Sequence, residues 1–547
     1  MMPPRNLGST ILRWAPVAAC AAILVWHSLQ YNFVTDDAYI SFVYSRNLAE
    51  HGELSFNLGH PVEGYTNFLW TFVLGLLMVV GIAPEISSRV LGTACAIGTL
   101  VVAFRITERL LAVKRPTTWR EISPWPIIPP LLLAWSSGFA CWSSGGLETQ
   151  LFTLLVALAI EAYVAAEDGE PLRLQRMGLY LALAAMTRPE GLMVAGVIGA
   201  HRLAMNASRR RIKPDLAELR AIGAFLLVWA PWFAWRWWYY GWPFPNTYYV
   251  KATGALPKGM DAEVWRYGFH YIYVWAKQVH LVWIAPVLVL GVIAKPRTPR
   301  FSFVTLAALL AGAYLYYTAS VGGDFMGLHR FIMPLFVLIA IVAGLGFARI
   351  ADWKPPAALA LAPLVVIAFA WTQWKLTSES LRVDNIFSDN GIDTPAFLIE
   401  YTEDRATIGR AMESCFRDGD FSIVGGAGAQ PYFGRMQAID IFGLVSEKVA
   451  HEDRRVSARP GHDKWASDEV LLSYDPTFIF YCYDLTAKPE QAHLGQCSEQ
   501  AWIARGYERV TMHIPGLHTL ADPRQPAEYY TFLAKKARKF ECNGRVR

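Results

Sequence analysis

The chain has 547 residues, of which 54% are apolar and 17% are charged, and its formal net charge at pH 7 is +5. This composition is too apolar for an ordinary soluble enzyme of this size. The basic residues are not massed in one segment, as nucleic-acid binding would require. We therefore expect the lipid bilayer to be the main solvent of the chain.

Long apolar segments recur through the first 374 residues, and the clearest cover residues 10–29, 222–238, 331–347 and 357–374. A helix that crosses the bilayer needs roughly 20 largely apolar residues, so each segment is predicted to span the membrane. The first segment lacks a small-residue cleavage site and is interpreted as a retained anchor. Counting all such segments predicts an all-α polytopic domain with about eleven transmembrane helices.

Basic residues predict which side of the membrane each loop faces. Lys and Arg cluster in alternate loops, at residues 105–120, 173–176, 202–220, 295–300 and 349–354. The positive-inside rule makes these loops and the N-terminus cytoplasmic, so the intervening polar motifs and the C-terminal part lie outside. Residues 66–82 are predicted to form a re-entrant or interfacial helix, because counting them as a span would reverse this order.

The first outer loop, residues 30–85, opens with the adjacent acids Asp36 and Asp37. Neighbouring side chains diverge by about 100° on a helix, so one carboxylate can act as a base while the other orients or binds a substrate. The alternative is an acidic N-cap on a helix that begins near Ala38, since Asp is a favoured N-cap residue.

Further polar motifs interrupt apolar stretches on the same predicted side. Glu148 precedes a span, and Arg188 and Glu190 break an apolar stretch at Thr187-Arg-Pro-Glu-Gly191. Charged side chains in such a stretch are costly unless they are paired or line a water-filled cavity, which favours a functional site. The alternative is that Arg188 and Glu190 merely tie two short helices together where Pro189 breaks the chain.

Two other outer motifs carry candidate ligands. Arg330 ends the segment 322–330, and its guanidinium suits phosphate oxygens, although an interfacial Arg can also simply reach toward water. Residues 245–251 follow an aromatic run at 232–242 that is typical of an interfacial belt. The remaining candidate substrate-binding residues of the outer loops are Glu63, Tyr65, Asn246, Tyr249, Lys251, Asp324 and His329.

The composition changes after residue 374, where charged residues become frequent and long apolar runs end. Residues 1–374 are therefore predicted to form the transmembrane domain and residues 375–547 a soluble domain. Short strand-like runs at 421–424, 477–481 and 509–513 alternate with helical stretches such as 406–416, which predicts an α/β fold. Cys482 and Cys497 are the natural local disulfide pair if this domain lies outside, although the pairing cannot be read from sequence.

A glycine-rich stretch follows the first strand-like run of this domain, at residues 425–429. It lacks the GxGxxG spacing of nucleotide-binding loops and is predicted to be a tight turn near the acceptor. Asp440 and His462 are predicted to be exposed candidates for acceptor contacts, with His462 favoured as a plain surface residue.

Several of these motifs resemble, in amino-acid sequence and in order along the chain, one branch of the GT-C superfamily of polytopic glycosyltransferases. The segments at 35–41, 62–70, 187–191 and 245–247 are similar to the terminal arabinofuranosyltransferases of mycobacterial cell walls. The resemblance implies a polyprenyl-phosphate-sugar donor, a glycan, glycolipid or protein acceptor, and inversion without a metal or other cofactor. It also implies Asp36 as the general base, with Asp37 second.

We therefore predict a glycosyltransferase of the bacterial plasma membrane whose active site and C-terminal domain are extracytoplasmic. Chemistry and sidedness suggest Arg188 and Arg330 as ligands of the donor phosphate, and Glu63, Tyr65 and Glu148 as partners of sugar hydroxyls. The alternatives are a lipid-linked sugar flippase or transporter, and an O-antigen ligase or polymerase with a pyrophosphate donor. Against a transporter, the sequence shows no related halves and its polar motifs lie at one membrane edge.

Overall fold

The computed structural model describes most of the chain and divides it into two compact units. The described residues are 7–114, 116, 118, 121–211, 213–252, 259–382, 392–453, 455–459, 461–462, 464–495, 497–520, 522 and 524–542. The helical unit comprises Met1–Asn32, Ser88–Ala234 and Gly268–Glu379. The sheet unit comprises Phe33–Ser87, Trp235–Tyr267 and Ser380–Arg547.

The described part of the first 380 residues is mainly helical. The helices are α1 Leu7–Tyr31, α2 Asp36–His51, α3 Phe68–Val79, α4 Pro84–Leu110, α5 Ile128–Trp135, α6 Ser137–Ser144, α7 Thr149–Glu167, α8 Arg173–Thr187, α9 Glu190–Ser208, α10 Leu216–Tyr240, α11 Asn246–Ala252, α12 Met260–Gln278, α13 Leu281–Gly291, α14 Pro299–Ser320, α15 Met333–Trp353 and α16 Pro355–Ser380. Helices α2, α3 and α11 belong to the sheet unit, and α4, α10, α12 and α16 contribute residues to both units.

Within the described residues, seven helices are long and apolar enough to cross a membrane. The count is eight if α12 and α13, bent by 82° at their junction, form one broken span. The four clearest predicted spans are confirmed as parts of α1, α10, α15 and α16. The sequence predicts about eleven spans, which is more than this number. The prediction counts apolar stretches that form helices shorter than a membrane span. At 12 residues, α3 is too short to cross the bilayer as a helix.

The core of the helical unit lies around α15. Of its most apolar 18 residues, 89% are buried, against 11% for α16. Helices α13 and α15 approach closely at two glycines: a Cβ at Gly291 would lie 2.1 Å from the carbonyl oxygen of Val342, and one at Gly346 would lie 2.1 Å from that of Val287. Small residues at such contacts are typical of helix packing in membranes, where backbones must approach to gain van der Waals contact.

The sheet unit is a mixed α/β structure, as predicted. Its elements after α16 are α17 Pro395–Met412, β1 Ser422–Val424, α18 Ala429–Gly434, β2 Ala438–Asp440, α19 Glu447–Ala450, α20 Asp468–Leu472, β3 Phe478–Thr486, α21 Glu499–Ala504, β4 Tyr507–His518 and β5 Pro526–Lys535. The strand order is β2-β1-β3-β5-β4. Strand β1 is parallel to β2 and β3, and β5 is antiparallel to β3 and β4.

One hydrophobic core joins residues of the segment 33–87 to the C-terminal residues of the sheet unit. Tyr44 of α2 lies in the same buried cluster as Ile408 of α17, Phe480 of β3 and Tyr530 of β5. The unit is therefore assembled from three separate segments of the chain. The linear domain boundary expected at residue 374 stays a prediction.

Two disulfides also hold the sheet unit together. One joins Cys482 to Cys497, the local pair favoured by the sequence, and the other joins Cys415 to Cys542. The second bridge ties residues near the C-terminus to the segment that follows α17.

Candidate active site

Asp36 lies at the very start of α2. Thr35 is the N-cap residue and has an extended backbone, with φ −76° and ψ 152°, so the helix begins two residues earlier than expected. The alternative in which the acidic pair caps a helix at Ala38 is therefore wrong. The Asp36 side chain instead accepts a hydrogen bond at 2.7 Å from the main-chain N–H of Ala429, at the start of α18.

Gly426 and Gly428, two residues of the glycine-rich turn, pack directly against Asp36. A Cβ added to Gly428 would lie 2.1 Å from the main-chain oxygen of Asp36 and 2.3 Å from its Oδ2. A Cβ added to Gly426 would lie 3.1 Å from the same Oδ2 and 2.9 Å from the Tyr401 hydroxyl. Only glycine fits at position 428 without moving the carboxylate.

The surroundings of Asp36 raise its pKa from an ordinary value of 3.8 to about 7. Burial is the largest cause, because only 8% of the residue is exposed, and the neighbouring charge of Asp37 acts in the same direction. The hydrogen bond from Ala429 and the positive charge of Arg405 lower this pKa. A carboxyl with a pKa near 7 suits general base catalysis at neutral pH.

Arg405 of α17 is the main functional candidate that the sequence did not reveal. Its guanidinium carbon lies 4.3 Å from the ring of Tyr483 and 5.1 Å from that of Tyr401. It donates one long hydrogen bond, of 3.4 Å, to Gln430. In sequence it is one of several charged residues of an ordinary helical pattern, and no local signal separates it from the others.

Glu63 forms a buried ion pair with Arg236, in which both carboxylate oxygens face the guanidinium. Arg236 Nε lies 2.9 Å from Oε1 of Glu63, and its second terminal nitrogen lies 2.6 Å from Oε2. Burial raises the pKa of Glu63, and the charge of Arg236 opposes this rise. Tyr65 shares a 2.9 Å hydrogen bond with the hydroxyl of Tyr240.

Asn246 also makes internal contacts. Its side-chain nitrogen lies 2.6, 3.0 and 3.2 Å from the carbonyl oxygens of Gly443, Leu444 and Ser446. Its main-chain N–H donates to the carbonyl oxygen of Glu63 at 2.9 Å. Glu63, Tyr65 and Asn246 are thus engaged in holding the sheet unit together, and their roles in substrate binding stay predictions.

The other candidate residues of the sheet unit differ in exposure. Tyr249 is half-buried, with its ring 4.3 Å from that of His451, and Lys251 is exposed. The expectation that Asp440 is exposed is wrong: it is fully buried at the end of β2. Its carboxylate accepts hydrogen bonds from the main-chain N–H groups of Leu444 and Val445, at 2.9 and 2.8 Å. Asp440 therefore stabilises the turn that follows β2.

His462 is half-buried as well, with its ring centre 4.8 Å from that of Phe442. The side chain is thus only partly exposed, and a contact with the acceptor stays a prediction.

In the helical unit, Arg188 stands between α8 and α9 and is held by two carboxylates. It lies 3.2 Å from Oε1 of Glu148 and 2.6 Å from Oε1 of Glu190. All three side chains are buried. The Arg188–Glu190 contact across the break fits the structural alternative, and the involvement of Glu148 extends the group to a third helix.

Arg330 is paired with Asp324 at 2.5 Å through its Nε. Its side chain is only 10% exposed, so an Arg that simply reaches toward water is excluded. The guanidinium carbons of Arg188 and Arg330 lie 5.0 and 5.4 Å from the same ring, that of Phe331. The two candidate phosphate ligands therefore lie in one cluster, with three carboxylates among their neighbours.

His329 flanks this cluster. Its Nε2 lies 2.9 Å from Oε1 of Gln278, and its ring packs edge-on against Tyr271 at 4.7 Å. Asp36 belongs to the sheet unit and the two Arg residues belong to the helical unit. The single pocket predicted for all three draws on both units and stays a prediction.

Comparison with solved structures defines the class of fold. ArnT from Cupriavidus metallidurans bound to undecaprenyl phosphate is similar over 95% of this chain and 97% of its own, with a TM-score of 0.55 and 12% sequence identity. Its apo form matches equally well, with a TM-score of 0.56. The predicted GT-C-like fold, a polytopic helical domain with a small C-terminal sheet domain, is confirmed.

Two curated proteins with similar sequences carry the same name. The terminal β-(1→2)-arabinofuranosyltransferase of Mycobacterium tuberculosis is 27% identical over 364 residues, which cover 60% of this chain and 55% of the relative. The enzyme of the same name from Corynebacterium glutamicum is 24% identical over 418 residues, which cover 69% of this chain and 57% of the relative. The resemblance predicted from the motifs is confirmed, and the chain spans little more than half the length of these curated relatives.

A family model described as a domain of unknown function (DUF8728) matches residues 398–532. The match runs from within α17 to within β5, so it covers most of the C-terminal part of the sheet unit. It includes Arg405 and the glycine-rich turn that contacts Asp36.

Proposed function

We propose that this chain is a membrane glycosyltransferase that moves a sugar from a polyprenyl phosphate to a glycan, glycolipid or protein acceptor with inversion. The observation that carries the proposal is the buried Asp36 carboxylate, whose pKa is raised to about 7 on a GT-C-like fold. The names of the two relatives support arabinofuranose as the sugar. The lipid in the ArnT structure supports a polyprenyl phosphate as the carrier.

In the proposed reaction Asp36 removes the proton from an acceptor hydroxyl while the hydroxyl oxygen attacks the anomeric carbon. The bond from that carbon to the phosphate oxygen breaks, and its electron pair leaves with the polyprenyl phosphate. Phosphate is a good leaving group, so one carboxylate base suffices and a strong general acid is unnecessary. A single displacement of this kind inverts the anomeric carbon. Asp37, half-buried beside it, is proposed to orient the acceptor.

Arg188 and Arg330 are proposed to stabilise the negative charge of the departing phosphate. Both are already paired with carboxylates, and because a guanidinium has five N–H donors, a phosphate can share it with these partners or displace one of them. Arg330 is the readier ligand because it is paired with Asp324 alone, whereas Arg188 is held by both Glu148 and Glu190. Glu148, Glu190, Asp324 and His329 are then proposed to contact sugar hydroxyls.

The proposed location is the plasma membrane of a bacterium, with the active site and the sheet unit on the extracytoplasmic side. Two observations support this orientation. Basic residues concentrate in the loops assigned to the cytoplasm. The sheet unit contains two disulfides, which persist in oxidising compartments and are rare in the cytosol.

The test is a transfer assay with purified full-length protein in lipid nanodiscs, decaprenyl-phosphate-arabinose and an arabinan acceptor. We expect a new glycosidic product and free decaprenyl phosphate, and we expect both to disappear in the Asp36→Asn variant. Donor binding should remain in that variant, which distinguishes loss of the base from loss of the fold.

Other outcomes would point to the alternatives. Movement of the lipid-linked sugar across a vesicle membrane without any new glycosidic bond would identify a transporter. Activity only with a lipid pyrophosphate donor would identify a ligase or polymerase. Full activity of Asp36→Asn would refute the assignment of the base.

A further inference from the structure

We propose that residues 398–532, the segment that the family model matches, position the catalytic base Asp36. Arg405 and the turn at Gly428–Ala429 are the positioning groups. This inference rests on the function proposed above, in which Asp36 accepts the proton. It gives the C-terminal region a part in the reaction itself, beyond any contact with the acceptor.

The first support is the state of Arg405. The residue is 4% exposed, and its Nε has no hydrogen-bond partner among the residues that the structure describes. Its hydrogen bond to Gln430 is the one that it makes within the described part of the chain, and this bond is long. Two tyrosine rings cover the guanidinium. A buried cation is costly without a nearby opposite charge. The main-chain N–H of Ala429 donates to Asp36, and the next residue, Gln430, accepts from Arg405. Both charged groups therefore meet the same turn, and Asp36 is one of the charges that Arg405 acts on.

The second support is the fit of the turn around Asp36. The main-chain N–H of Ala429 donates to Oδ1, and the missing side chain of Gly428 leaves room for Oδ2. A Cβ at Gly428 would also lie 2.4 Å from the carboxyl carbon of Asp36, so the carboxylate occupies the space that a side chain would need. Gly425, three residues earlier in the turn, has open space where a Cβ would lie.

Arg405 and the Ala429 N–H together oppose the effect of burial on the pKa of Asp36. Burial and the charge of Asp37 favour the protonated acid, whereas the Ala429 N–H and Arg405 favour the carboxylate. The other titratable groups that act on Arg405 from the elements around it are Tyr401, Asp404, Tyr483 and Tyr530. Without Arg405 the pKa of Asp36 rises further, and less of the base is ionised at neutral pH.

The first experiment measures the pH dependence of kcat for Arg405→Gln, Arg405→Lys and the control Arg410→Gln. Arg410 lies on the same helix, is exposed, and stacks on Phe433 at 4.0 Å. We expect the acid limb of Arg405→Gln to move upward by about 1 pH unit. The rate then falls about tenfold in mildly acid buffer and recovers in alkaline buffer. Arg405→Lys should move the limb less, and Arg410→Gln should not move it.

The second experiment compares Gly428→Ala with Gly425→Ala. The new methyl group at position 428 must displace Asp36, so we expect a loss of transfer of at least about 100-fold, since small displacements of catalytic groups have effects of this size. Gly425→Ala should keep wild-type activity because its methyl group meets no neighbour. Thermal unfolding and donor binding are measured for both variants. If Gly428→Ala fails to fold, the pH profile of Arg405→Gln decides the question.

The results separate this inference from the proposed function. If Asp36→Asn remains active, the proposed base is wrong. If Asp36→Asn is inactive while Arg405→Gln loses rate equally at every pH, or Gly428→Ala behaves like Gly425→Ala, the positioning role alone is overturned.

Discussion

At the scale of single residues, the proposed catalytic group, Asp36, opposes the stability of the fold that holds it when it is charged. Its pKa in the folded protein is about 7, against an ordinary value of 3.8, because the charged form is buried. The folded state therefore binds a proton more tightly than the unfolded chain. The stability contributed by this proton is complete below about pH 4 and is lost as the pH rises through about 7.

We predict that Asp36→Asn is more stable than the wild type above about pH 7, by an amount on the order of 1–4 kcal/mol. The amide oxygen of Asn can still accept the N–H of Ala429, and the buried charge is gone. The gain should shrink as the pH falls toward about 4, where the carboxyl is protonated in both states. Unfolding is measured in detergent across this range, with the half-buried Asp37→Asn as the comparison. A wild type as stable as Asp36→Asn above neutrality would contradict the burial argument.

A second prediction concerns the paired Arg residues. Replacing Arg188 with Gln leaves Glu148 and Glu190 buried without their shared cation, which is expected to cost about 3–5 kcal/mol. Arg330→Gln leaves Asp324 as the corresponding unpaired carboxylate and should destabilise less. The unfolding temperatures of the two variants, measured side by side, test this order. Equal temperatures would mean that the Arg188 cluster does not act as one unit.

At the scale of elements, the two disulfides cross-link the sheet unit over very different chain lengths. Cys482 and Cys497 are 15 residues apart, whereas Cys415 and Cys542 are 127 apart. In the chain-entropy model the short loop contributes about 3 kcal/mol and the long loop nearly 5 kcal/mol. The longer bridge also anchors the residues that follow β5.

We therefore predict that Cys415→Ala/Cys542→Ala loses more stability than Cys482→Ala/Cys497→Ala. Paired substitution avoids leaving a reactive thiol in either variant. Urea unfolding of the purified proteins, with and without reductant, gives the comparison. In reductant the wild type and both variants lack disulfides, so their stabilities should converge. A larger loss for the short loop would favour strain or local packing over loop entropy.

Elements formed by local signals could be predicted from the sequence, and contacts between distant segments could not. Nearby residues predict the apolar lengths of α10 and α15 and the positions of β1, β3 and β4, and they favour Cys482–Cys497 as the local pair. By contrast, Asp36 contacts Ala429 across 393 positions, and Glu63 pairs with Arg236 across 173. Nothing in a single sequence distinguishes Ala429 or Arg236 as a partner of these carboxylates. The surroundings of the two carboxylates therefore could not be predicted.

At the scale of the whole molecule, the sheet unit is assembled from three segments of the chain that alternate with helices of the other unit. Residues 33–87 contribute α2 and Asp36, and residues 380–547 contribute the sheet and Arg405. Since these segments form one core, all of them must reach the same side of the membrane during insertion. The charge pattern of the intervening loops then constrains the orientation of the whole chain.

The last prediction tests that orientation. Basic loops are retained in the cytoplasm, so alkaline phosphatase fused after residue 547 should be active and the same enzyme inserted at residues 295–300 should be inactive. Green fluorescent protein at the same two positions should show the reverse pattern, because it does not become fluorescent when exported unfolded. Replacing the Lys and Arg residues of the 202–220 loop with Gln should weaken the preference. An active phosphatase within the 295–300 loop would place Asp36 on the cytoplasmic side, where a base for an extracytoplasmic acceptor could not act.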